Sequence, residues 1–237
     1  MIRTVDLTKR YGQITAVNRL NIEVKPGEIF GFLGPNGAGK TTTINMLTGL
    51  IRPTSGTAYI CGYDITSQIR QVKAITGLMP DTPTIYEGLT GRQFVRFIAR
   101  LYGVDPEEAE LKMEELFEAF ELNDMADELI RGYSYGMRKK LIFTSLIVQG
   151  PQVFFLDEPT SGLDPKSARM VKEMLQKLCR QGRAVFMTTH VLEIAERMCD
   201  RIAIIDKGNL IAVGTLEDLR ILSQERDLED IFLKLTD

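Results

Sequence analysis

Residues 34–42 read Gly34-Pro35-Asn36-Gly37-Ala38-Gly39-Lys40-Thr41-Thr42, which satisfies the spacing G-x-x-x-x-G-K-[ST] of a phosphate-binding loop. The stretch 28–33 before it reads as a buried strand, and the stretch 42–47 after it as a helix. That strand–loop–helix setting is what the motif needs. Glycines at 34, 37 and 39 let the backbone bend tightly and turn its N–H groups toward phosphate oxygens. The following helix aims its positive end at the same oxygens. Lys40 supplies a mobile ammonium for terminal phosphates, and the Thr41 hydroxyl is placed for Mg²⁺. The loop constrains the fold to a nucleotide-binding α/β arrangement without saying what the nucleotide is used for.

Composition narrows the remaining choices. The chain has 237 residues, 44% apolar and 26% charged, the balance of a soluble globular protein. The formal net charge of −3 offers no basic face, so nucleic acid is not an expected partner. No apolar run approaches the roughly 20 residues of a membrane span, and residues 1–6 carry no signal-peptide core. A cytosolic location is expected, with room for attachment to a membrane protein. Cys61, Cys179 and Cys199 lack metal-ligand spacing and read as reduced structural thiols.

Organisation along the chain follows hydrophobic periodicity. Residues 1–33 are β-rich, with Val17, Leu20, Ile22 and Val24 as inward candidates. Short strands are expected at 57–60 and 75–79. The texture then changes near Leu89, and residues 90–149 carry helical periodicity. Phe94, Phe97, Ile98 and Leu101 fall at i, i+3, i+4 and i+7 and read as that segment's own core. Asp105-Pro106 caps the next helix, and a third follows Ser134. Strands then alternate with helices: 153–156, 184–187 and 201–205 as strands, helices after Pro165 and over 191–198. Leu228, Ile231, Phe232 and Leu235 form one helical face expected to dock on the chain itself. The expected fold is α/β: a mainly parallel sheet flanked by helices, with an N-terminal antiparallel β subdomain and an inserted helical subdomain. As one domain over 1–237, segments 1–89 and 150–220 form the core, 90–149 the helical part and 221–237 a C-terminal helix.

Two acids end the apolar run at 153–156. In an open parallel sheet, ligands bind where strands end at their carboxyl edge, and the phosphate loop leaves its strand at that edge. Asp157 can hold a Mg²⁺ shell, and Glu158 can take the proton of a water attacking a γ-phosphate. Asp164 reads as a helix N-cap with Pro165 at the first helical position. His190, the single histidine, follows the strand 184–187 and belongs to the same rim.

The phosphate loop, a helical insertion, Tyr133-Ser134-Tyr135-Gly136-Met137, residues 153–159, residues 161–164 and His190, in that order, resemble the nucleotide-binding subunit of ABC transporters, with a signature of the drug-resistance exporter type. The resemblance spans nearly the whole chain. It implies a P-loop NTPase core, an ATPase using ATP and Mg²⁺, and a homodimer or heterodimer that sandwiches two ATP molecules head to tail. It implies adenine stacking on Tyr11, a γ-phosphate grip by Ser134 and Gly136 across the dimer, catalytic roles for Lys40, Glu158 and His190, and metal binding by Thr41, Asp157 and Asp81. Asp164 is placed at the interface. A separate transmembrane permease would receive the work, with Pro83, Ile85, Tyr86, Leu89 and Phe94 as local candidates for the groove it enters. The chain would then sit peripherally on the cytoplasmic face of the cell membrane. A non-transport ATPase of the same family and a nucleotide-gated binding module stay open as alternatives. Two departures stand out. The family's usual Leu-Ser-Gly-Gly-Gln keeps only Ser134 and Gly136, together with a basic residue at Lys140. Asp81 stands where glutamine is usual, adding negative charge beside Asp157 and Glu158, so its coupling to the metal is expected to be weaker.

Overall fold

The computed structural model describes residues 1–225 and 227–236. It holds two sheets. The first is antiparallel, in the order β2 (Ile14–Leu20), β1 (Ile2–Tyr11), β5 (Ser55–Ile60), β6 (Tyr63–Asp64), with β3 (Glu23–Val24) also paired to β1. Val17, Leu20, Ile22 and Val24 are all buried in its core: Leu20, Ile22 and Val24 alternate, and an irregularity at Arg19, with a φ of 45°, brings Val17 to the same side.

The second sheet has six strands, in the order β11 (Asn209–Gly214), β10 (Arg201–Asp206), β4 (Ile29–Leu33), β9 (Ala184–Thr189), β8 (Val153–Asp157), β7 (Thr76–Met79). All pairs are parallel except β10 with β11. Every residue of β4, β8 and β9 is buried, because layers cover both faces of the sheet. Alternation divides their side chains. Phe154, Leu156, Val185 and Met187 enter the core under the helices, whereas Val153, Phe155, Ala184 and Phe186 face the antiparallel sheet. On that second side Phe186 meets Phe30, Phe32 and Phe155 at ring-centroid distances of 5.8, 5.3 and 5.8 Å.

Helices fill the connections: α1 (Lys40–Leu47), α2 (Ile69–Ile75), α3 (Gly91–Leu101), α4 (Pro106–Ala119), α5 (Tyr135–Gln149), α6 (Pro165–Arg180), α7 (Leu192–Met198), α8 (Leu216–Ser223) and α9 (Leu228–Thr236). Thr90 closes a capping box with Gln93 at the start of α3, and the Asp105 carboxylate accepts from the N–H groups of Glu107 and Glu108 at the start of α4. The Asp164 carboxylate accepts from Ser167 N–H at 2.8 Å and Ser167 Oγ at 2.6 Å, with Pro165 in the first turn of α6.

Two expectations need correction. The buried stripe of α3 is Phe94, Val95 and Ala99, with Ile98 partly buried, whereas Phe97 and Leu101 face outward. Small and β-branched side chains let α3 approach its neighbours closely, and Phe97 packs instead edge-on against Tyr86, 5.6 Å between centroids. The segment 221–237 is not one helix. Gln224 adopts a left-handed φ of 63° and ends α8, and α9 starts afresh at Leu228; residues 226 and 237 lie outside the described residues. Leu228 and Ile231 of α9 are buried against Leu33, Ile202 and Leu219 of the same chain, so that face docks internally.

Cys179 and Cys199 pack between the sheet and its helices. Burial first, and then the Asp200 carboxylate, push both thiols up to about 12. An unfolded thiol ionises near 8.5. The unfolded chain therefore loses these protons before the folded one, and stability should decline as pH rises from about 8.5 toward 12. Urea midpoints measured across that range should fall, and a Cys179→Ala/Cys199→Ala variant should show a flatter decline. An identical slope in the variant would contradict the assignment.

Candidate functional site

Five parallel strands running the same way put their carboxyl ends on one edge. β4 ends in the loop 34–39, β8 in Asp157-Glu158, β9 in Thr188-Thr189 before His190, and β7 leads to Asp81. The register places Leu33 opposite Thr189, and Asp157 opposite Thr188. Here a polar cavity of ≈ 370 Å³ is lined by Asn36, Gly37, Gly39, Lys40, Thr41, Thr42, Asp81, Asp157, Glu158 and His190, with Ala16 and Ser161.

The loop is held by its own backbone needs. Gly39 precedes α1 at φ +110°, and a Cβ there would lie 2.4 Å from Ala16 O, so no other residue fits without a shift. Lys40 is buried, and its ammonium donates to Gly34 O at 2.6 Å and Pro35 O at 3.0 Å. Burial lowers its pKa, opposed by the charges of Glu158 and Asp157. Gly34, Pro35 and Ala38 shape the turn from behind and do not line the cavity.

Thr41 Oγ1 donates to Asp157 Oδ2 at 2.9 Å, and the Thr188 hydroxyl donates to the other carboxylate oxygen. Hydroxyl and carboxylate are hard oxygen donors, which suits Mg²⁺. Among the described residues no group of three or more His, Cys, Asp or Glu is arranged to hold a metal ion. A Mg²⁺ at Thr41 and Asp157 would therefore draw its other ligands from water and phosphate, its usual habit.

Glu158 takes a left-handed φ of 50°, a conformation that costs a non-glycine residue about 1–2 kcal/mol. The turn swings its carboxylate toward β9. Oε1 accepts from His190 N–H at 2.9 Å and lies 2.7 Å from His190 Nδ1, and Oε2 accepts from Thr189 Oγ1 at 3.0 Å. A carboxylate so oriented, with an imidazole beside it and an ammonium across the cavity, can accept a proton from water aligned on a phosphate.

Other residues named from the sequence lie apart from this lining. Tyr11 sits half-exposed at the end of β1 beneath the Lys9 ammonium, 5.1 Å from its ring centroid. Ser134 caps α5, its hydroxyl accepting from Met137 N–H at 3.3 Å, and Gly136 lies in the first turn against Gly162. Neither reaches the cavity of its own chain. Asp81 lines it, with its carboxylate 3.6 Å from Lys139 Nζ. The basic residue singled out in the sequence, Lys140, turns to Asp164 at 3.0 Å.

Sequence reasoning passed over Thr188, Ser161 and above all Lys139. The signal for Lys139 was present: it stands three and four residues before Ile142 and Phe143, on the buried stripe of α5, where a lysine needs partners.

The ABC transporter family model matches residues 17–161. The daunorubicin/doxorubicin resistance ATP-binding protein DrrA of Streptomyces peucetius is 42% identical over 92% of this chain and 66% of its own length. The Nod factor export ATP-binding protein I of Burkholderia orbicola is 39% identical over 88% of this chain and 69% of its own. The chain thus spans about two thirds of the length of these relatives. Among solved structures, an ATP-binding subunit of an ABC transporter superposes with a TM-score of 0.96 at 30% identity, covering 100% of both chains. A dimeric post-hydrolysis state of the ATP-binding cassette MJ0796, bound to ADP and Pi, shares the fold: TM-score 0.83 at 23% identity, over 91% of this chain and 98% of that one.

Proposed function

This chain belongs to the ABC transporter family of ATP-binding proteins, and we propose that it is an ATP-hydrolysing subunit that dimerises around ATP and powers export by a separate transmembrane subunit. The observation that carries the proposal is the meeting of Lys40, Thr41, Asp157, Glu158 and His190 around one polar cavity at the edge of the parallel sheet. Nothing in a simple nucleotide-gated binding module calls for Glu158 and His190 to be paired at 2.7 Å.

In this reading the N–H groups of the loop 34–39 and the Lys40 ammonium bind the β- and γ-phosphates, and the ammonium leaves the carbonyls of Gly34 and Pro35 to do so. Thr41 and Asp157 would hold Mg²⁺, which when bound would offset charge on the phosphate oxygens. Asp81 reaches the same region with its charge balanced by Lys139. Glu158 takes the proton of the attacking water, and His190 orients that water and the γ-phosphate. Tyr11 stacks on adenine. Ser134 and Gly136, at the start of α5 and outside the lining of their own chain's cavity, serve the nucleotide of a second copy. ATP then closes the dimer and hydrolysis opens it.

Among the described residues no helix is long and apolar enough to cross a membrane, and in this reading the pore belongs to the transmembrane partner. Of the groove candidates, Phe94 and Pro83 are buried and Ile85 and Leu89 pack on the helical core. Tyr86 remains exposed, and Phe97 and Leu101 extend its apolar surface. That patch supports docking of a helix from the membrane partner, on the cytoplasmic face of the membrane. The resistance and export names of the relatives support the outward direction.

Glu158→Gln should bind ATP, hydrolyse it at least about a hundredfold more slowly, and elute as a stable dimer with ATP and Mg²⁺ on size-exclusion chromatography. Wild-type turnover in this variant would remove Glu158 as the base. Tyr11→Ala should weaken ATP binding by about tenfold, the scale of one lost base–aromatic stack, with kcat retained; unchanged affinity by calorimetry would place adenine elsewhere.

A further inference from the structure

Lys139 has no exposed surface, against 5–8% for Asp157, Glu28 and Lys40. Taking an ammonium out of water is expensive, and an apolar side chain of similar volume would often serve stability as well or better. Its surroundings show what the charge does there. Nζ donates to the backbone carbonyl of Glu158 at 2.6 Å, lies 3.6 Å from Asp81 Oδ1, and lies 5.3 Å from the Tyr135 ring centroid. Tyr135 Oη in turn donates to Asp81 O at 2.9 Å. The start of α5 therefore grips two loops of its own chain, the one carrying Asp81 and the one carrying Glu158.

The Glu158 grip falls on a residue with φ of 50°. Its N–H donates to Thr188 O at 3.1 Å, and its carbonyl also accepts from Ser161 N–H at 3.2 Å. The carbonyl would keep a partner without the lysine, so Lys139 is not needed merely to satisfy it. The ammonium adds a shorter, charge-assisted bond that fixes the peptide plane of the turn. That plane sets where the carboxylate points. The same charge balances Asp81, the third carboxylate lining the cavity with Asp157 and Glu158.

We propose that Lys139 is a positioning residue for hydrolysis: a fixed buried cation that aims Glu158 and ties its turn, with the Asp81 loop, to the helix begun by Ser134. This rests on the reading of Glu158 as the base. It follows that Glu158 in one cavity is held by the helix whose N-terminus serves the other nucleotide of the dimer.

The test compares Lys139→Met and Lys139→Arg in the wild-type chain, and Lys139→Met in a Glu158→Gln background. Lys139→Met should lower kcat by about tenfold or more, as a misplaced base does, and move the KM for ATP by less than about threefold. Lys139→Arg should recover most of kcat. In the Glu158→Gln background Lys139→Met should change residual turnover by less than about twofold, because the lysine acts through the missing carboxylate. The double variant should still form the ATP-bound dimer on size-exclusion chromatography. Thermal unfolding checks the fold, and Lys139→Gln replaces the methionine variant if that one is unfolded. A kcat within about twofold of wild type in Lys139→Met, or the same fold-loss in both backgrounds, overturns the proposal. Should Glu158→Gln itself turn over at the wild-type rate, the base reading falls, and the proposal with it. A slow Glu158→Gln beside a fully active Lys139→Met removes only the role of the lysine.

Discussion

The parallel pairing of β4 with β9 and of β9 with β8 is the constraint on which the rest depends. It sets three strand ends side by side, at the usual strand spacing of about 4.8 Å, and so brings residues from distant parts of the chain to one rim. The register is strict because both faces of these strands are buried. A one-residue slip of β8 would exchange Phe154 and Leu156 with Val153 and Phe155 between two differently shaped cores. It would also carry Asp157 away from Thr41 and Thr188, both of which now donate to it. Packing thus fixes the chemistry: the apolar core decides which carboxylate meets which hydroxyl.

Much of this was legible in the sequence because buried parallel strands and phosphate loops leave strong local marks. The runs at 153–156 and 184–187 are continuously apolar, and each ends in the polar residues that line the rim. The Asp105 and Asp164 caps were readable for the same reason, being local bonds between neighbours. Short hairpin strands that follow turns without the usual residue pairs were not. β6 is two residues long and pairs only with β5. β11 is an edge strand reached through Lys207 and Gly208, both at positive φ, a tight turn without the usual asparagine or aspartate before its glycine. The face of α3 was misjudged because periodicity alone ranks Phe97 and Leu101 above Val95 and Ala99, while close packing favours the smaller pair. The break at Gln224 had no glycine to announce it.

The candidate site shows a related division. The loop and the acid pair announce themselves by type and spacing. The charge balance does not, since it depends on which side of α5 faces the cavity. Asp81 looked like an excess negative charge in one dimension; in three it stands beside Lys139. Lys140, one residue on, points to the far side and joins the Asp164 cap of α6. The two lysines are adjacent in sequence and divided by about 100° of helix, enough to send one to the rim and the other to the capped turn.

In the function proposed here each cavity is half a site, completed by the helix terminus of a second copy. Ser134 and Gly136 do not line their own chain's cavity, which is what this reading requires. The most direct measurement is the rate of ATP hydrolysis per protomer over a wide range of protein concentration at saturating ATP and Mg²⁺. Specific activity should rise with concentration and level off as dimers fill. A specific activity that stays constant down to extreme dilution would contradict it.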